Sequence, residues 1–109
     1  MIKNAVIVST TLGYEDHGLL TAWLNLDYGD SSVQSFGGYN LCSPKIVGKN
    51  YAGLFITRCL TIVGVCEWQQ LVCKTIRVEQ DRQSIVAIGH IVKDLWFRPA
   101  DEINALEKS

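Results

Sequence analysis

No run of this chain approaches the roughly 18 to 20 consecutive apolar residues that a membrane-spanning helix needs, because Arg58, Gly64 and Glu67 interrupt its most hydrophobic region. Charge of one sign is lacking as well. Ten basic and eleven acidic side chains leave a formal net charge of −1, neither the basic footprint of a duplex-binding protein nor the acidic field of a nucleic-acid mimic. Direct binding to duplex DNA and association with a membrane are therefore not expected.

The signatures of chemistry are also missing. The four cysteines, Cys42, Cys59, Cys66 and Cys73, include no Cys-x-x-Cys pair, and both histidines lie far from them in sequence, which argues against a zinc site. Cys59, Cys66 and Cys73 recur every seven residues, but Gly64 breaks the helix that would align them, so most of these thiols are expected to act as small buried hydrophobes. Phe36-Gly37-Gly38-Tyr39 is not a phosphate loop: no lysine followed by serine or threonine closes it, and the dinucleotide glycine spacing is absent. No serine or cysteine elbow accompanies His90. The sequence thus assigns no catalytic residue, no metal and no cofactor. Met1-Ile2-Lys3-Asn4 leads straight into a short apolar run rather than a signal-peptide pattern, so the expected setting is a reducing cytoplasm.

What is present is enough apolar material for one core. The chain has 109 residues, 48% of them hydrophobic, and reads as a single domain over residues 1–99 followed by a tail over 100–109. Ala5 to Leu12 reads as a first strand and Leu20 to Tyr28 as a second, the latter with Leu20, Ala22, Leu24, Leu26 and Tyr28 on one face and Trp23 as the exception on the wet face. Gly29-Asp30 suits a tight turn, which returns Ser31 to Phe36 as a third strand at an edge. Asn40 to Lys49 forms a loop, and Asn50 is a candidate cap for a helix whose stripe is Ala52, Phe55, Ile56, Cys59, Leu60 and Val63, ended by Gly64. Val65 to Val72 should tuck Trp68 and Leu71 beneath the fold. Thr75 to Gln80 and Ile85 to Val92 form a second hairpin, with the fifth strand expected at the centre because it is apolar on both faces. The tail from Pro99 reads as either a short helix or a frayed end. The expected class is α+β, an antiparallel sheet of about five strands in the order β-β-β-α-β-β with one helix packed on a face.

Two aromatic and glycine segments stand at strand ends. In the first, Gly37 and Gly38 allow close backbone approach while Phe36 and Tyr39 offer ring area; the competing reading is a bulge that bends the third strand, with Phe36 in the core. The second delivers Lys93, Asp94, Trp96 and Arg98 beside His90. Exposed aromatic residues with an arginine neighbour are typical of interface hot spots, so the binding set is Trp23, Phe36, Gly37, Gly38, Tyr39, Lys93, Asp94, Trp96 and Arg98. Glu15, Asp16, His17 and His90 form a secondary set. Adjacent residues on a turn diverge, which favours a polar rim over acid–base chemistry at Glu15-Asp16-His17. A lone histidine on an apolar strand is more often structural than catalytic.

Thr11-Leu12-Gly13-Tyr14-Glu15-Asp16-His17-Gly18, Phe36-Gly37-Gly38-Tyr39, Trp68 and the stretch from Ile88-Gly89-His90 to Trp96-Phe97-Arg98-Pro99 together resemble a family of small proteins encoded by bacteriophages and prophages. The resemblance extends over most of the chain. It implies an accessory protein in the cytoplasm of a bacterial host, non-enzymatic and similar in role to anti-CRISPR inhibitors, that binds a host protein or ribonucleoprotein complex through an aromatic surface. One alternative is an oligomeric sponge for a nucleotide immune signal, with Phe36 or Tyr39 stacking on the base and Lys93 or Arg98 meeting phosphate. A homodimer is a further partner to consider. The third reading, a small hydrolase-type enzyme using Asp16, His17 or His90, has the least sequence behind it.

Overall fold

The computed structural model describes residues 1–16, 18–39, 41 and 50–108. Within them the chain forms a six-stranded antiparallel sheet and two helices, an α+β fold. The strands are β1 (Ile2–Tyr14), β2 (Leu20–Asp27), β3 (Val33–Gly37), β4 (Thr75–Asp81), β5 (Ser84–Gly89) and β6 (Trp96–Phe97). The helices are α1 (Ala52–Val63) and α2 (Pro99–Lys108), with a 3₁₀ turn at Trp68–Leu71. Spatial order is β3-β2-β1-β4-β5-β6.

Alternation decides which face is buried. Ala5 and Ile7 of β1, Ala22, Leu24 and Leu26 of β2, Ile76 and Val78 of β4 and Ile88 of β5 point to one side and are buried. Helix α1 covers that side with Phe55, Cys59 and Ile62. The buried positions follow the helical period, so Ile62 joins the stripe while Ile56 and Leu60 sit at its margin. Asn50 Oδ1 accepts the Ala52 N–H at 3.0 Å, and Gly64, at φ 86°, returns its N–H to the Leu60 carbonyl at 2.8 Å. Three rings join the layers: Phe36 stacks on Phe55 at 5.8 Å, and both meet Phe97 of β6 edge-on at 6.2 and 5.5 Å.

The sheet is staggered. β1 pairs with β2 over Val6–Tyr14 but with β4 only over Ile2–Val6, and bulges interrupt β1 at Val8 and β5 at Val86. Stagger and bulges coil the sheet around its core, so that Cα atoms of β3 and β5 come within 8 Å of each other although three strands lie between them in the order. Gln34 fastens the approach. Its Oε1 accepts the Tyr28 hydroxyl at 2.6 Å and Gln80 Nε2 at 2.5 Å, while its Nε2 donates to the Gln83 carbonyl at 2.9 Å.

β5, β6 and the cysteines differ from the sequence expectation, while the tail takes the helical of its two expected forms. β5 is not central: β1 and β4 are, and β5 lies one strand from the edge. The two-residue β6, which no periodicity signals, pairs with β5 and lays Trp96 over Gly89. The tail is a helix tied to α1, with Arg58 Nε on Glu102 at 3.0 Å and the Tyr51 hydroxyl on Glu107 at 3.0 Å. Finally, Cys59 alone of the described cysteines is buried, with its thiol pushed up to about 12 by desolvation, whereas Cys66 and Cys73 are exposed. Cys42 lies outside the described residues, as does most of the expected loop over 40–49.

Candidate functional site

Trp23, on the outer face of β2, pairs across the ladder with Gly37 of β3. Its indole turns over the end of β3 and rests on Gly38: a Cβ at that glycine would fall 2.2 Å from the ring. Gly37 is constrained differently, since a Cβ there would meet the Ala22 carbonyl oxygen at 2.2 Å. Both glycines have positive φ, 120° and 75°. The pair therefore bends the strand, and Gly38 seats the Trp23 ring, which stays 38% exposed.

Tyr39 follows at once. Its ring packs against Phe55 at 6.2 Å, and partial burial raises its hydroxyl above the ordinary value of 10.0. Between Trp23 and Tyr39 on one wall and Gln83, Ser84 and Ile85 of the β4–β5 hairpin on the other lies a groove of about 440 Å³. Its floor includes Ser35 and Gln34, and its described lining contains no charged side chain. Rigid rings, amides and hydroxyls at the rim of such a groove can anchor an apolar or amphipathic group while hydrogen bonding its neighbours.

The other residues read from the sequence lie elsewhere. Phe36 is fully buried in the ring cluster and offers no surface. Trp96 lies four strand spacings from Trp23, about 19 Å along the sheet. It is half-buried between Gly89 and the Arg77 guanidinium, which stands 5.0 Å from its ring. Arg98 forms a two-pronged pair with Glu79, at 2.5 and 2.6 Å. That hydrogen bonding holds the Glu79 carboxyl below its ordinary 4.5. Lys93 and Asp94 are exposed on the β5–β6 turn. His90 starts that turn and shapes it: Nδ1 accepts the N–H groups of Val92 and Lys93, each at 3.0 Å. Arg77 binds the same turn from below through the His90 and Lys93 carbonyls, at 2.7 and 2.6 Å. Glu15 and Asp16 stand at the β1–β2 turn, and His17 lies outside the described residues.

The structure thus divides the binding set in two. Trp23, Gly37, Gly38 and Tyr39 converge; Lys93, Asp94, Trp96 and Arg98 belong to the far end of the sheet. Gln34, Gln83, Ser84 and Ile85 complete the groove and were not singled out from sequence, because polar residues beside a turn carry no signal until the sheet coils and brings the hairpin to β3. Comparison of the chain with family models, with curated proteins and with solved structures gives no match, so the reading of this site rests on its geometry.

Proposed function

We propose that the protein is a non-enzymatic binding module that inhibits a partner protein or ribonucleoprotein by docking through the groove between β3 and the β4–β5 hairpin, with Trp23 and Tyr39 as its anchors. One observation carries this reading: the Trp23 ring is seated on Gly38, whose positive φ and lack of a side chain leave room for it, yet a substantial part of the ring remains in solvent. A preset aromatic side chain loses little entropy on binding, which is why such residues dominate interface energetics. The resemblance to phage-encoded accessory proteins supplies the setting, inhibition of bacterial defence in the manner of anti-CRISPR proteins.

The nucleotide-sponge alternative keeps its aromatic platform in Tyr39 but draws no cation from the described groove lining, since Arg98 is engaged by Glu79 and sits with Lys93 at the other end of the sheet. Protein docking is the better account of an uncharged groove. The test is phage plating on a defence-competent host expressing the wild type or the Trp23→Ala, Tyr39→Ala double variant at equal levels. The expected result is protection of the phage by the wild type and its loss in the folded variant; equal protection by both refutes the groove. Calorimetry of the purified protein against cyclic nucleotides should give no heat, and saturable heat would favour the sponge.

A further inference from the structure

β1 is much longer than the strand it meets on its β4 side. Pairing with β4 ends at Val6, Ile7 exchanges hydrogen bonds with Lys74 and Cys73 at 2.9 and 2.7 Å, and the chain then turns away at Cys73, whose φ is 74°. Beyond that point, among the described residues, β1 pairs with another strand only on its β2 side.

The ladder fixes which backbone groups are left. The Glu15 N–H bonds the Leu19 carbonyl at the hairpin end, and Gly38 bonds Ala22 across β2. By alternation, Ser9, Thr11 and Gly13 direct their backbone groups toward β2, while Thr10, Leu12 and Tyr14 direct theirs to the open side. None of these three has a backbone partner there among the described residues. Their side chains share the core-facing side of the sheet, where Leu12 is 41% and Tyr14 65% exposed. The Trp68 indole donates to the Thr10 hydroxyl at 3.1 Å and marks where internal cover stops.

Such an edge is a template for another strand unless something blunts it. The other two edges are blunted: β3 is fastened to the hairpin by Gln34, and β6 has two residues before Pro99. From Thr10 to Tyr14 there is neither charge nor proline.

We infer that the open edge of β1 at Thr10–Tyr14 pairs antiparallel with the same edge of a second copy of this chain, giving a two-fold dimer with one continuous sheet. Antiparallel pairing is self-complementary, so a single register serves both copies. With Leu12 opposite Leu12, Tyr14 falls opposite Thr10, and all three outward residues on each chain gain backbone partners. The exposed side chains of Leu12 and Tyr14 then cover each other and the partner's Trp68 region. Glu15 falls opposite Ser9 rather than opposite itself, so the register brings no like charges together. This dimer is independent of the groove, which lies across β2 and β3 from the pairing edge.

Sedimentation velocity over a concentration series tests it. The wild type should reach twice the chain mass, and Leu12→Lys and Tyr14→Lys should each sediment as monomers with an unchanged circular dichroism spectrum. Thr11→Lys, on the other face, should remain dimeric. In the dimer the Leu12 and Tyr14 amides should exchange at least tenfold more slowly than on dilution to monomer, a readout that needs no variant. A wild type that stays monomeric at millimolar concentration overturns the inference, as does a dimer that survives both substitutions.

Discussion

Gly37 and Gly38 match the bulge reading of their segment, with Phe36 buried in the core. They form the bend in β3, and the bend presents Trp23. Replacing Gly38 by alanine places a methyl group inside the volume of the indole at a positive φ, and should cost ~1–3 kcal/mol while releasing the ring. Gly37→Ala should cost more, since the obstructing atom is the Ala22 backbone oxygen and cannot rotate away. Urea denaturation of the two variants checks the order. If both match the wild type, the glycines have no such role.

Glu79 supplies a pH dependence at the same scale. Its carboxyl is held below the ordinary value by Arg98, so the folded state favours the charged form. The stability contributed is fully present above 4.5 and is lost as pH falls through the lower folded value. Thermal melts recorded as the pH is lowered from neutrality past that range should therefore decline more steeply for the wild type than for Glu79→Gln. Glu79 is 27% exposed, and salt should weaken the difference.

At the scale of elements, local chemistry was legible and long-range partnership was not. The alternation of β2, the glycine at the end of α1 and the placement of Leu71 beneath the sheet can all be read from a window of a few residues. β6 could not be: a two-residue strand has no period, and Trp96-Phe97 reads as exposed aromatic surface until Gly89 and Arg77 are seen on either side of the indole. Arg77 itself carried no signal, although it stacks on Trp96 and binds two carbonyls of the β5–β6 turn. Gln34 is the same kind of case, since its partners Gln80 and Gln83 lie 46 and 49 residues away. Gln34→Ala would leave the Tyr28 hydroxyl, the Gln80 amide and the Gln83 carbonyl without this partner, at a cost of ~1–3 kcal/mol. Hydrogen exchange should then rise in β3 and in the β4–β5 hairpin together, with α2 unchanged; a change confined to β3 would mean that Gln34 does not join them.

For the whole molecule, coiling of the sheet decides what the surface can do. A flat sheet would have set Trp23 and Trp96 on one broad aromatic face, the arrangement the sequence suggests. The coiled sheet instead leaves Trp96 inside a structural stack at one end and forms a groove at the other, where β3 meets a hairpin distant in sequence. Four of the nine residues in the expected binding set therefore line one groove, joined by residues that only the closure of the sheet brings near.

The most direct test of the docking surface is affinity capture from a defence-competent bacterial lysate with three baits: the wild type, Trp23→Ala with Tyr39→Ala, and Val92→Ala as a control on the remote β5–β6 turn. The account predicts a discrete macromolecular complex retained by the wild type and by Val92→Ala, and reduced at least tenfold with the folded groove variant. Retention of the same complex by the groove variant, or its loss only with Val92→Ala, would contradict it.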